Sequence, residues 1–274
     1  MSLNWRVSNS ILNNFLYIYI QFILSFRYRG AAHQACNLNY RDARFIPIVF
    51  HNLTGYDSHL IIKELAASKT CEGRVSIIAE NKQKYISFTK FIKGSDFNLR
   101  FIDSFRFLAS SLDTLSSYLD NTPILTKEFQ KDGYTVDQIP ILRRKGVYPY
   151  DFTSSFDSLK VTELPSIQNF YSFLNESGIS DDDYEHARLV WNTFRIKTLG
   201  EYSDLYLKTD VLLLSDVLEN FRESCRQSYG LDVGWYYTLP GFSWDAMLKY
   251  TNIFLELLTD IEKLLFVEKG LYLF

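Results

Sequence analysis

Hydrophobic and polar positions along the chain change period near its middle. Phe45-Ile-Pro-Ile-Val-Phe50 is a short, almost continuous apolar run, the pattern of a buried strand with Pro47 near its start. The next residues, HNLTGYD, read as a turn punctuated by Gly55. Leu60, Ile61 and Leu65 then recur at helical spacing, which predicts a helix over 58–68. Strand patterns follow at 74–80, 84–92 and 98–103, the last ending in Asp103.

Beyond that point the period is helical. Helices are predicted at 110–119, after a Ser180 cap with Asp183 three residues on, over 202–229 up to the stop at Gly230, at 241–250 and at 259–268. The proline-bearing, charged segment 121–158 reads as irregular and surface-lying. Strands first and helices later predict an α/β chain, a mixed sheet with helices packed on it.

Composition supports a folded chain. Of 274 residues, 47% are hydrophobic and 16% aromatic, enough apolar surface to offset chain entropy. The 3 cysteines, Cys36, Cys71 and Cys225, are scattered and odd in number, which argues against a disulfide scaffold and for a reducing, intracellular setting. The net charge of -3 announces no nucleic-acid partner, yet Arg6, Arg27, Arg29, Arg41 and Arg44 precede His51 with Asp42 as their lone acidic companion. The apolar stretch 11–26 is interrupted by Asn13, Asn14 and Gln21 and falls short of the roughly 20 residues a membrane span needs. It reads as an atypical apolar segment, and no membrane partner is expected.

Two patterns carry candidate chemistry. Asn52-x-x-x-Tyr56-Asp57 puts an amide, an aromatic ring and a carboxylate on one turn, a set able to grip a single strand and a metal ion. The plain alternative is a glycine turn in which Asn52 bonds its own backbone. Tyr206 and Asp210 lie four apart and share a helix face, where a carboxylate could hold a divalent cation beside a phenol. The plain alternative there is a solvated acid on a helix surface. Tyr148-Pro149-Tyr150 and Tyr236-Tyr237 could stack bases or simply pack. The histidines, His33, His51, His59 and His186, show no ligand spacing among themselves.

These blocks, IVFHNLTGYDSHLIIKEL, KYISFTKF, LRFIDSFRFLASSLDTL, KGVYPYDF, LYLKTDVLLLSDVLENFR and YYTLPGFSWDAMLKYT, occur in an order that resembles the protein-primed family B DNA polymerases, the Polinton/Maverick group of mobile elements above all. The resemblance implies an RNase H-like (DnaQ-like) 3′–5′ exonuclease domain over 45–232, incomplete here, followed by the start of a polymerase domain at 233–274. It places residues 27–44 in the remnant of an HNH-like zinc module.

By resemblance, Asp57 and Asp210 hold Mg²⁺ or Mn²⁺ and Tyr206 orients the water. Phe50, His51, Asn52, Tyr56, Ser104 and Phe105 contact the single-stranded primer terminus, Phe105 standing where the family has Leu. A terminal-protein primer is the implied partner, and the nucleus lies within the implied range of settings. His33-x-x-Cys36 is half of a zinc site, so zinc is not expected to bind. The family's first exonuclease motif, D-x-E, has no counterpart upstream of His51, where Asp42 stands without a Glu. A metal pair would then keep too few carboxylates, which predicts poor cleavage. No palm is recognised after residue 270. The competing readings are a non-catalytic single-strand-binding module and, from residues 11–26, an anchored protein.

Overall fold

The computed structural model describes residues 44–55, 57–68, 72–81, 84–256 and 259–271. The apolar stretch 11–26, residues 27–43 with the expected half zinc site of His33 and Cys36, and Tyr56 lie outside them. Four strands, β1 (Phe45–Phe50), β2 (Val75–Ala79), β3 (Tyr85–Phe91) and β4 (Asn98–Asp103), form one mixed sheet in the order β1-β4-β3-β2. Strand β1 runs parallel to β4, with Phe45 opposite Asn98 and Phe50 opposite Asp103. The β4–β3 and β3–β2 pairs are antiparallel. As an edge strand, β1 tolerates Pro47, which lacks an N–H to donate.

The two-residue period of β4 divides the apolar side chains between two cores. Phe101 faces one, where it stacks on Phe88 at 4.3 Å and packs with Leu53. Ile61, Ile62 and Leu65 of helix α1 (Asp57–Ala67) cover that core. Ile102 faces the other, shared with Phe107, Cys225, Val233, Phe242 and Ala246. The fold is therefore α/β, as the pattern predicted.

Six further helices are described: α2 (Leu112–Ser117), α3 (Pro123–Lys131), α4 (Asp181–Thr193), α5 (Leu199–Tyr229), α6 (Leu239–Thr251) and α7 (Ile261–Leu271). Ser180 caps α4 as expected, its Oγ accepting from the amide of Asp183 at 3.1 Å. Helix α5 begins one turn before the apolar pattern shows it. Thr198 Oγ1 accepts from the Glu201 amide, and Glu201 accepts from the Lys197 amide, a near relative of the capping box. Gly230 closes the helix in the left-handed region (φ 62°).

The segment 121–158 corrects the sequence reading. It contains α3 and contributes Leu125, Phe129, Ile139 and Leu142, all almost fully buried, to the largest core. Pro123 does not break structure there. It occupies the first helical turn, where a missing N–H costs nothing. That core also takes Ala187 and Val190 from α4 and Leu199, Leu212 and Leu213 from α5. Burying Leu125 or Phe129 is worth about 2 kcal/mol each relative to exposure. No helix among the described residues is long and apolar enough to cross a membrane.

Candidate nucleic-acid and metal site

Asp103 organises one candidate cluster. It is 1% exposed at the end of β4. Oδ1 accepts from the amides of Asn52 (2.9 Å) and Phe105 (3.0 Å). Oδ2 accepts from the Thr54 amide (3.0 Å) and lies 2.9 Å from the Thr54 hydroxyl. One carboxylate thus ties the turn after β1 to the turn after β4. Within the first turn Asn52 adopts φ 64°, a conformation Asn tolerates better than most residues. Its carbonyl accepts from the Gly55 amide at 3.2 Å. A Cβ on Gly55 would stand 2.8 Å from Asn52 Oδ1, so a larger residue there would push the Asn52 amide aside.

The same arrangement places several expected single-strand contacts together. Ser104 Oγ donates to the Phe50 carbonyl at 2.9 Å and lies 3.0 Å from His51 Nδ1. His51 Nε2 is 2.8 Å from the Ser110 carbonyl, which can only accept, so this nitrogen carries a proton. Both ring nitrogens are thus engaged inside the protein. Phe50 stacks on Phe101 and is half-buried. Among the described expected contacts, Asn52 and Phe105 are the ones left facing solvent, the latter edge-on to His51 at 5.4 Å. Asp57 opens α1, where its charge complements the positive end of the helix.

A separate cluster lies on α5. Tyr206 stacks on Tyr148 with ring centroids 5.3 Å apart, and its hydroxyl meets that of Tyr150 at 2.9 Å. Burial, followed by the negative charge of Asp210, pushes the Tyr206 phenol far above its ordinary pKa. Gly146 lies against this ring, where an added Cβ would make ordinary contact at 3.4 Å. Burial also raises the Asp210 carboxyl, against the opposing pull of Lys145 and the Tyr206 hydroxyl. Lys145 Nζ lies 3.8 Å from Asp210 Oδ2, while Oδ1 is buried with no hydrogen-bond partner.

The sequence reading missed Lys145. Its signal in the sequence is the charge that opens KGVYPYDF. Beside Tyr206 a cavity of about 20 Å³ is lined by Arg144, His186, Tyr202 and Thr209 among others, room for one water. Thr209 Oγ1, also without a partner, is buried there.

The orphaned Asp210 oxygen has acceptor capacity that no described group uses. A pair of divalent ions asks for more. Among the described residues no three His, Cys, Asp or Glu side chains gather as a metal cage, so neither Asp57 nor Asp210 belongs to one. The other oxygen of Asp210 is turned toward Lys145. The described donors therefore do not fit a two-metal centre.

Comparison with known proteins follows this geometry. A family model described as DNA polymerase type B, organellar and viral, matches residues 37–272. A protein of Ascobolus immersus named "Probable DNA polymerase" is 25% identical over 199 residues, covering 70% of this chain and 14% of that protein's length. The chain thus spans a small part of that relative. No solved structure matches.

Proposed function

The chain belongs to the type B DNA polymerases of the organellar and viral family, and from that premise we propose that it forms the 3′–5′ exonuclease region of a protein-primed member of the Polinton/Maverick type, binding single-stranded DNA while cleaving it poorly. DNA is the partner the family implies. An RNase H-like sheet, a terminal-protein primer and Mg²⁺ or Mn²⁺ as cations belong to the same proposal.

The observation that carries it is the pairing of Tyr206 with Asp210 one helical turn apart, with an orphaned Asp210 oxygen. Solvated helix acids do not bury one oxygen without a partner while a lysine stands by the other. The exposed Asn52 and Phe105 on turns held by Asp103 add an amide and a ring for a single strand. Poor cleavage follows from too few carboxylates, among the described residues, for the charge of two divalent ions.

Fluorescence anisotropy with a labelled oligothymidylate, together with a gel assay of its degradation in Mg²⁺, tests both parts. Salt-sensitive binding without Mg²⁺-dependent shortening is expected. Absence of binding at low salt overturns the single-strand role. Shortening that disappears in Asp210→Ala overturns the catalytic deficit and favours a working exonuclease over a non-catalytic module.

A further inference from the structure

Arg106 ends the same turn that carries Ser104 and Phe105. The buried carboxylate nearest to it in sequence, Asp103, is committed to Asn52, Thr54 and Phe105. The guanidinium is instead held by Glu80, which projects just past β2, with Arg106 Nη2 at 2.7 Å from Glu80 Oε2. Arg106 Nε lies 3.4 Å from the Thr54 hydroxyl, so the cation is also anchored on the Asn52–Gly55 turn. The two partners differ in freedom. The Arg106 side chain is 21% exposed and fixed by the turn, whereas that of Glu80 is 50% exposed. Arg106 holds the Glu80 carboxyl below its ordinary pKa.

The result is a fixed guanidinium, an exposed ring at Phe105 and an exposed amide at Asn52 on adjoining turns, with a movable carboxylate on the cation. A carboxylate and a phosphate oxygen present an arginine with the same two-pronged acceptor. We propose that Arg106 is a phosphate clamp for single-stranded DNA and that Glu80 is its built-in competitor, displaced when the strand arrives. The inference rests on the single-strand reading above and adds to it a residue and a means of regulation. Binding then carries the cost of breaking the Glu80 pair, which lowers affinity for short or weakly held strands and leaves strands already engaged at Phe105 favoured.

The test is a double-mutant cycle on binding of a labelled oligothymidylate of about twelve nucleotides, within the usual footprint of such sites, over a range of salt. Wild type, Glu80→Gln, Arg106→Gln and the double variant are compared, with Glu72→Gln as a control that removes the same charge from another exposed ion pair. Glu80→Gln is expected to tighten binding about threefold, the factor that corresponds to an exposed ion pair of ordinary strength. Arg106→Gln is expected to weaken binding and to flatten the dependence of log K on log salt by about 0.7, one phosphate's share on a single strand.

The gain from Glu80→Gln should vanish when Arg106 is also replaced. Arg106→Lys, which keeps the charge, should retain the slope and so separates a lost phosphate contact from a disturbed turn. A gain that persists in the double variant, or an equal gain from Glu72→Gln, overturns the clamp in favour of general repulsion. Binding that responds to neither Glu80→Gln nor Arg106→Gln overturns the clamp alone. Absence of binding by every variant overturns the single-strand reading itself.

Discussion

Lys145 stands 3.8 Å from one oxygen of Asp210 while the other oxygen of that carboxylate is buried without a partner. Burial has raised the Asp210 pKa, and Lys145 is the charge that opposes the rise. A carboxyl whose folded pKa lies above its unfolded value destabilises the fold as pH climbs through the folded pKa, because the folded state then binds more protons than the unfolded one. Lys145→Met removes the opposing charge and widens that gap. Its cost in urea unfolding should be about 1 kcal/mol near pH 8, the scale of a partly exposed pair, and smaller near pH 3, below the ordinary carboxyl pKa of about 3.9. An equal cost at the two pH values would mean that Lys145 does not act through Asp210.

Asp103 should be among the least replaceable acids in the chain. Asp103→Asn keeps the shape but turns an acceptor into an N–H donor facing the amides and hydroxyl now bound. A buried, multiply bonded carboxylate lost in this way costs about 3 kcal/mol. Because it ties two turns, the loss should also be local. Limited proteolysis is expected to cut within 51–57 in the variant before the rest of the chain opens, and hydrogen exchange at the Asn52 and Thr54 amides should accelerate.

How far the sequence disclosed this structure depended on where each element finds its partners. Strand β4 and the Ser180 cap were legible because their signals are local: alternation in one case, a hydroxyl three residues before its amide in the other. Helix α3 was not. Its N-cap residue, Thr122, makes no cap bond, and the capping carboxylate is Asp216, 92 residues away on α5. A segment capped from a distance looks like a proline-bearing loop until the chain is folded. The site shows the same division. Tyr206 and Asp210 share a face by spacing alone, whereas Lys145 reaches Asp210 through a fold the spacing does not encode.

That distant cap gives a paired prediction. Asp216 is 3% exposed and accepts from the amides of Ile124 (2.8 Å) and Leu125 (2.9 Å). Asp216→Ala orphans both amides and should cost about 2 kcal/mol, the upper range for a helix cap. Thr122, 2% exposed, has a buried hydroxyl with no partner. Thr122→Val removes a polar group that repays nothing for its burial, and should leave stability unchanged or raise it by up to about 1 kcal/mol. Chemical denaturation of the two variants checks the contrast. A Thr122→Val loss comparable to that of Asp216→Ala would show that the hydroxyl, not the carboxylate, holds the helix.

His186 sets an acid limit on the helical core. Its Nε2 lies 2.9 Å from the Ile141 carbonyl and therefore carries a proton in the neutral ring. Burial lowers its pKa below 6.5, and Arg144 adds to the effect, against the Ile141 carbonyl and Asp183, which favour the charged ring. A histidine with a depressed folded pKa binds fewer protons than the unfolded chain between the two values. Its contribution is therefore complete above about pH 6.5 and is lost as pH falls toward the folded pKa. The melting temperature of the wild type should decline between pH 7 and pH 5 more steeply than that of His186→Gln, which can donate to Ile141 but does not titrate. Parallel declines would place the acid sensitivity elsewhere. A shallower wild-type slope would reverse the assigned direction of the shift.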